Sequence, residues 1–243
     1  MNSQLIIDTL INLFKLSILL LIVSKIISYF FKISLFKVFK ISFLGFFFVV
    51  ICFFCFNQFT NGDLRKKILV IGKVPSFELT DQNNNKISDK TYLGKVYVVE
   101  FFFANCLTIC PIMNKNLVQV QDEFYGNLDF GIASITIDPE HDTPAFLKEH
   151  AKTIGVKHPN WHLLSGNSEY IMNLANKGFY IQAGKDAKAQ GGFGHSGQFA
   201  LIDKEGNIRS RKDKFGNPIL FYDGIEQTGV DALKEDIKLL LKE

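Results

Sequence analysis

The chain has 243 residues, 47% of them hydrophobic, which excludes a disordered chain and leaves room for one substantial core with an appendage. Its formal charge of +3 is unevenly placed: residues 1–59 carry Lys15, Lys25, Lys32, Lys37 and Lys40 against Asp8 alone, leaving 22 basic and 23 acidic residues for 60–243. That larger part has no basic stripe, so nucleic-acid binding is not expected of it.

Thirteen of the 25 phenylalanines precede residue 60, and no residue from Ile41 to Gly62 is charged. About 20 apolar residues cross a bilayer core, so the pattern predicts a transmembrane helix over 41–59. An earlier apolar stretch, within 5–31, is interrupted by Lys25 and reads as a first span or an interfacial helix. No small-x-small cleavage site follows the main run, which disfavours a signal peptide. Cys52 and Cys55 lack the preceding small residue of a lipid-attachment site and read as membrane-buried thiols. Lys32, Lys37 and Lys40 are expected on the cytoplasmic side. Residues 1–59 are thus expected to anchor the chain in the cell membrane, with 60–74 as a tether and 75–243 as a globular domain on the outer face.

Within that domain, "DQNNNK" (81–86) marks a hairpin turn, and "KVYVVEFFFA" (95–104) has the unbroken apolar character of a central buried strand. Pro111 suits the first position of a helix whose apolar face is Ile112, Met113, Leu117, Val118 and Val120. "LDFGIASITID" (128–138) is a second buried strand, followed by an N-cap at Thr143, Pro144, and a helix closed by Gly155. A short strand at "WHLLSG", a helix at "SEYIMNLANKGF", a hairpin turning at 204–207 and a terminal amphipathic helix complete the chain. Strands alternating with helices and then a hairpin predict an α/β domain with a mixed sheet flanked by helices.

The chemistry centres on "FFFANCLTICPIMNKNL" (101–117), where Cys106 and Cys110 follow the buried strand as a helix begins. If helical, their Cα atoms would stand about 6 Å apart on one face, a separation that suits a disulfide or two thiolates on one metal ion. A helix N-terminus favours thiolate. The spacing has one residue more than the Cys-x-x-Cys of redox enzymes. A metal site needs a third ligand, and two sulfur donors select Cu(I), with zinc as the rival. Of the five histidines, His141, His150, His158, His162 and His195, the second and third flank a helix end and His162 follows Trp161. His195 stands apart, after a Gly-rich loop that would let a ligand swing on and off the metal.

Cys106-x-x-x-Cys110-Pro111, "IDPEHDTP" (137–144) and His195–Ser196 before "ALID" together resemble the Sco/SenC family over about 70–240. The resemblance implies a thioredoxin-like fold and a copper site, for Cu(I) or Cu(II), of Cys106, Cys110 and His195. It also implies copper delivery to cytochrome c oxidase subunit II. Asp138 and Asp142 match the family's acidic box, where turn and cap formation is the expected role. The insert Leu107–Thr108–Ile109 departs from the proline and acidic residue common in the family's loop. Ser196–Gly197 stand where thioredoxin folds place a cis-proline. Two functions are therefore carried forward: a membrane-anchored copper metallochaperone, not an enzyme in the turnover sense, and a thiol–disulfide oxidoreductase, which needs both cysteines but not His195. A peroxiredoxin is disfavoured, because "FFFANC" lacks the Thr or Ser and the proline that precede a peroxidatic cysteine.

Overall fold

The computed structural model describes residues 3–31, 45–53, 68–185 and 193–243, and the chain divides into two units, Met1–Lys66 and Lys67–Glu243. In the first unit, helix α1 spans Ser3–Phe31 and residues 45–53 form a second helical stretch, α2. Phe14, Leu19, Ile22, Phe47 and Phe48 are exposed on these helices. Ser17 and Ser24 turn their hydroxyls back onto the carbonyls of Phe14 and Leu21, at 2.7 and 2.9 Å, which satisfies a polar side chain within an apolar helix. Among the described residues no helix is long and apolar enough to cross a membrane. The expected main span, 41–59, is described only over 45–53; 41–44 and 54–59 lie outside the described residues, as do Cys55, Lys32, Lys37 and Lys40.

The second unit contains strands β1 (Leu69–Lys73), β2 (Glu78–Asp81), β3 (Lys86–Ser88), β4 (Val96–Phe102), β5 (Phe130–Thr136), β6 (Trp161–Ser165), β7 (Ala183–Lys185), β8 (Phe193–His195), β9 (Gln198–Ile202), β10 (Asn207–Ser210) and β11 (Tyr222–Asp223). Its helices are α3 (Cys110–Glu123), α4 (Pro144–Ile154), α5 (Ser168–Asn173) and α6 (Gln227–Leu240). The main sheet runs β1-β10-β9-β4-β5-β6-β2-β3, with β11 paired to β9. β4, β5 and β6 are parallel, and the remaining pairs are antiparallel. Every residue of β4 and β5 is buried, as expected of central strands covered on both faces. Helix α3 packs against α4 and α6, α4 lies on β6 and α6 on β4. This is the mixed sheet flanked by helices that the sequence pattern predicts.

Two segments differ from that expectation. The stretch 60–74, read as a tether, contributes β1, which pairs with β10 from Leu69↔Ser210 to Lys73↔Asn207. Leu69, Val70 and Ile71 are good strand formers, and pairing satisfies the outer edge of β10. His195, expected on a loop, is the last residue of β8, which forms a two-stranded hairpin with β7. The Gly-rich residues 186–192 lie outside the described residues.

The predicted caps are present. Thr143 precedes α4 and accepts a bond from the Phe146 N–H, Pro144 is the first helical residue, and Gly155 ends the helix with φ 90°.

An ion network fixes α6 to the β11 side of the sheet. Arg211 forks onto Asp236 at 2.7 and 2.8 Å, and Tyr222 Oη donates to the same carboxylate at 2.7 Å. Asp236 is buried, and these groups are its hydrogen-bond partners. Replacing Arg211 by Leu leaves a buried carboxylate held by one hydroxyl, which should destabilise the domain by about 3–5 kcal/mol in urea unfolding.

Candidate metal centre

β4 ends at Phe102, and the chain turns over residues 104–105 before α3 begins at Cys110. This turn is pinned from the acidic box. Asp142, fully buried, accepts the Ala104 N–H at 3.0 Å and the Thr136 hydroxyl at 2.5 Å through one carboxylate oxygen. Thr136 Oγ1 in turn accepts the Asp138 N–H, and Asp138 pairs with the exposed His141 at 2.9 Å. The box thus ties the end of β5 to the residue two before Cys106.

Cys106 is not on the helix, so the two cysteines do not share a helical face. They meet across the loop instead, as two thiols with no disulfide between them. Cys106 is 5% exposed and Cys110 2%. Burial alone would raise the Cys106 thiol. Hydrogen bonds from the Thr108 hydroxyl, the Cys110 thiol and the N–H groups of Cys110 and Thr108 outweigh it and bring the pKa below the ordinary value. The Thr108 oxygen lies 3.5 Å from the sulfur. Cys110 moves the other way. Burial pushes it far up against the opposing Phe103 N–H, and the bond to Cys106 with the charges of Cys106 and Glu100 adds to the rise. Favouring of thiolate at the helix start therefore falls on Cys106 alone, because Cys106 receives the first N–H groups.

Glu100 is a further member of this environment. It is buried in β4, one carboxylate oxygen accepts from Ser134 Oγ at 2.6 Å, and Oε2 has no partner among the described residues. Burial pushes its pKa up to about 7 against the opposing Ser134 bond.

The backbone around His195 is carried to the same place. Phe193, two residues before it, packs its ring 5.5 Å from that of Phe103. Gly197, two residues after it, accepts the Gly224 N–H at 2.7 Å. A Cβ on Gly197 would lie 2.4 Å from Cδ1 of Ile225 and 3.8 Å from Cδ1 of Ile109. A side chain there would require Ile225 to shift, while Ile109 of the cysteine loop lies at ordinary van der Waals distance, so the strand after His195 runs close against both. Asn116 of α3 holds the Ile225 segment through bonds to the carbonyls of Gly224 and Ile225. The side chain of His195 lies outside the described residues. Among the described residues no three His, Cys, Asp or Glu groups are assembled around a metal position.

The other histidines divide as follows. His158 bonds the Asn127 carbonyl and receives the Asn160 N–H, a structural role. His162 pairs with the buried Asp81 at 3.2 Å. His150, set aside by sequence reasoning as a helix-end residue, lines a cleft of about 380 Å³ together with Cys106 and Cys110. Its helical phase was the available signal: it lies on α4 three residues after Leu147 and one before Ala151, both buried. Glu100 was legible too, as an acid inside a wholly apolar strand pattern.

A dithiol at the end of a central strand, on a mixed sheet flanked by helices, defines a thioredoxin-like domain with a paired-sulfur site. The SCO1/SenC family matches residues 71–228, and the chain belongs to that family. It is 30% identical over 168 residues to the SCO1 protein homolog of Bacillus subtilis, covering 68% of this chain and 81% of that protein. It superposes on the structure of BsSco with a TM-score of 0.59 and 28% identity, over 70% of this chain and 94% of that one; a disulfide switch was identified in BsSco, a member of the Sco family of cytochrome c oxidase assembly proteins. Yeast Sco1 with copper bound superposes with a TM-score of 0.52 and 28% identity, over 69% and 89% of the two chains.

Two outcomes follow. Alkylation by iodoacetamide near pH 7 should modify Cys106 well before Cys110, and Thr108→Val should slow it by raising the Cys106 pKa; equal rates at the two sulfurs would contradict the hydrogen-bond pattern. Because the folded pKa of Glu100 is raised, its stabilising contribution is full below about pH 4.5 and is lost as pH rises through about 7. Glu100→Gln should therefore raise the melting temperature more at pH 8 than at pH 5, in differential scanning calorimetry.

Proposed function

We propose that this protein is a membrane-anchored copper metallochaperone that binds copper through Cys106, Cys110 and His195. It delivers the ion to the copper centre of cytochrome c oxidase subunit II on the outer face of the cell membrane. The observation that carries this reading is the closure of the His195 strand, through Gly197, onto Ile109 of the cysteine loop. A low-pKa and a high-pKa thiol then stand near the backbone of the His195 strand. Two thiolates and one imidazole are a soft donor set suited to Cu(I). Copper is cargo here, released when a partner's ligands replace these one at a time. The copper-bound yeast relative supports the choice of metal.

Anchoring is supported by the uncharged run from Ile41 to Gly62 and by the exposed apolar side chains of α1 and α2. With Lys32, Lys37 and Lys40 on the cytoplasmic side, a single crossing over 41–59 supports an outer-face second unit, although Arg65, Lys66 and Lys67 lie just beyond that span.

The split between the thiols also favours a second reading, a thiol–disulfide oxidoreductase. The Cys106 thiolate attacks a partner disulfide and forms a mixed disulfide, releasing one partner thiolate. Cys110 then loses its proton and attacks Cys106, which oxidises this pair to a disulfide and frees the partner as a dithiol.

The reduced full chain in detergent should bind one copper per chain. Cys106→Ser, Cys110→Ser and His195→Ala should each weaken binding by about tenfold or more in competition with a Cu(I) chelator. Wild-type affinity in His195→Ala would remove His195 from the ligand set. Rescue of oxidase assembly in cells by His195→Ala would favour the oxidoreductase.

A further inference from the structure

The cleft beside the sulfurs contains a nitrogen donor that the three-ligand set leaves unused. His150 of α4 lines it together with Cys106 and Cys110. The ring is stacked against Phe102 and Phe146, at centroid distances of 5.9 and 6.4 Å and interplanar angles of 11° and 13°, so its plane is held. Nε2 is buried with no hydrogen-bond partner among the described residues. Oδ1 of the fully buried Asp142 is in the same condition, and the charge of Asp142 acts on the ring. Buried polar atoms in folded proteins are nearly always paired, so two orphans on residues whose charges influence each other, with no hydrogen bond between them, need an explanation. A histidine that directs one nitrogen at a carboxylate and the other at a metal is the recurrent use of such a pair. Asp142 is well suited to it, because its other oxygen is already held by Ala104 and Thr136.

We propose that His150 is an alternative nitrogen donor for Cu(I) bound to Cys106 and Cys110, so that the ion can be held on the cleft side of the sulfurs without His195. This rests on the copper reading of the two cysteines. No three donors stand assembled among the described residues, so the site closes when the Cys110 side chain changes rotamer toward the fixed His150 ring. Binding releases the thiol protons to solvent and leaves copper as Cu(I), with no oxidant or reductant required. One imidazole can then replace the other while both sulfurs stay bound, which gives the ion two positions within one domain.

The test is Cu(I) titration of the reduced full chain in detergent against a chromophoric Cu(I) chelator, with X-ray absorption of the loaded protein. The variants are His195→Ala and His195→Ala combined with His150→Phe. Phenylalanine keeps the stack on Phe102 and Phe146 and removes both nitrogens; His150→Gln serves as a second replacement, and thermal unfolding checks that each variant is folded. His195→Ala should keep one copper with nitrogen in its coordination shell. The double variants should lose the nitrogen and bind about tenfold more weakly still. Double variants that match His195→Ala in affinity and coordination overturn the proposal. Copper binding unchanged in Cys106→Ser and Cys110→Ser would instead overturn the copper reading on which it rests.

Discussion

The parallel pairing of β4 with β5 is the constraint on which the rest of the second unit depends. Seven residues of one strand face seven of the other, from Val96↔Phe130 to Phe102↔Thr136, and none is exposed. Such a pair must be covered on both faces, which requires flanking helices. It also brings two chain exits to one end of the sheet. The cysteine loop leaves β4 there and the acidic box leaves β5, and a single carboxylate, Asp142, bonds to both. The reactive loop is therefore positioned by the core itself, through one buried acceptor.

The two sulfurs acquire opposite characters from surroundings that differ only slightly. Cys106 collects the donors of the loop and the helix start, while Cys110 lies against apolar packing with the buried Glu100 acting on it. One thiol is readied to react or ligate, and the other gives up its proton only when something replaces it. A metal ion or a disulfide does that equally well, so metal binding and thiol exchange draw on one arrangement.

Much of the fold was legible in local patterns. The mainly apolar runs of β4 and β5, Thr143–Pro144 and Gly155 around α4, and Pro111 at the start of α3 each have a local physical cause. β1 was missed because its five residues follow a charged stretch after an apolar segment, and only β10, far along the chain, gives them a partner. The β7–β8 hairpin was missed because glycine-rich sequence has no period to read. At the site, Cys106, Cys110 and His195 were legible as residue types in order. Glu100 and His150 carried a signal as an acid in a buried strand and a histidine in apolar helical phase, but what they and Thr108 do was not legible, since it depends on what lies across the loop, the strand or the cleft.

Sequence alone determined which donors exist, where the buried strands lie, and that an uncharged apolar segment precedes a near-neutral domain. These are properties of neighbouring residues and short periods, and they need no long-range contact. Tertiary structure alone decided that Cys106 leaves the helix and collects its hydrogen bonds, and that Gly197 packs closely against Ile225. It alone placed His150 in the cleft that Cys106 and Cys110 also line. Those facts depend on distances between residues far apart in the chain, and only the closed sheet and its packed helices set such distances.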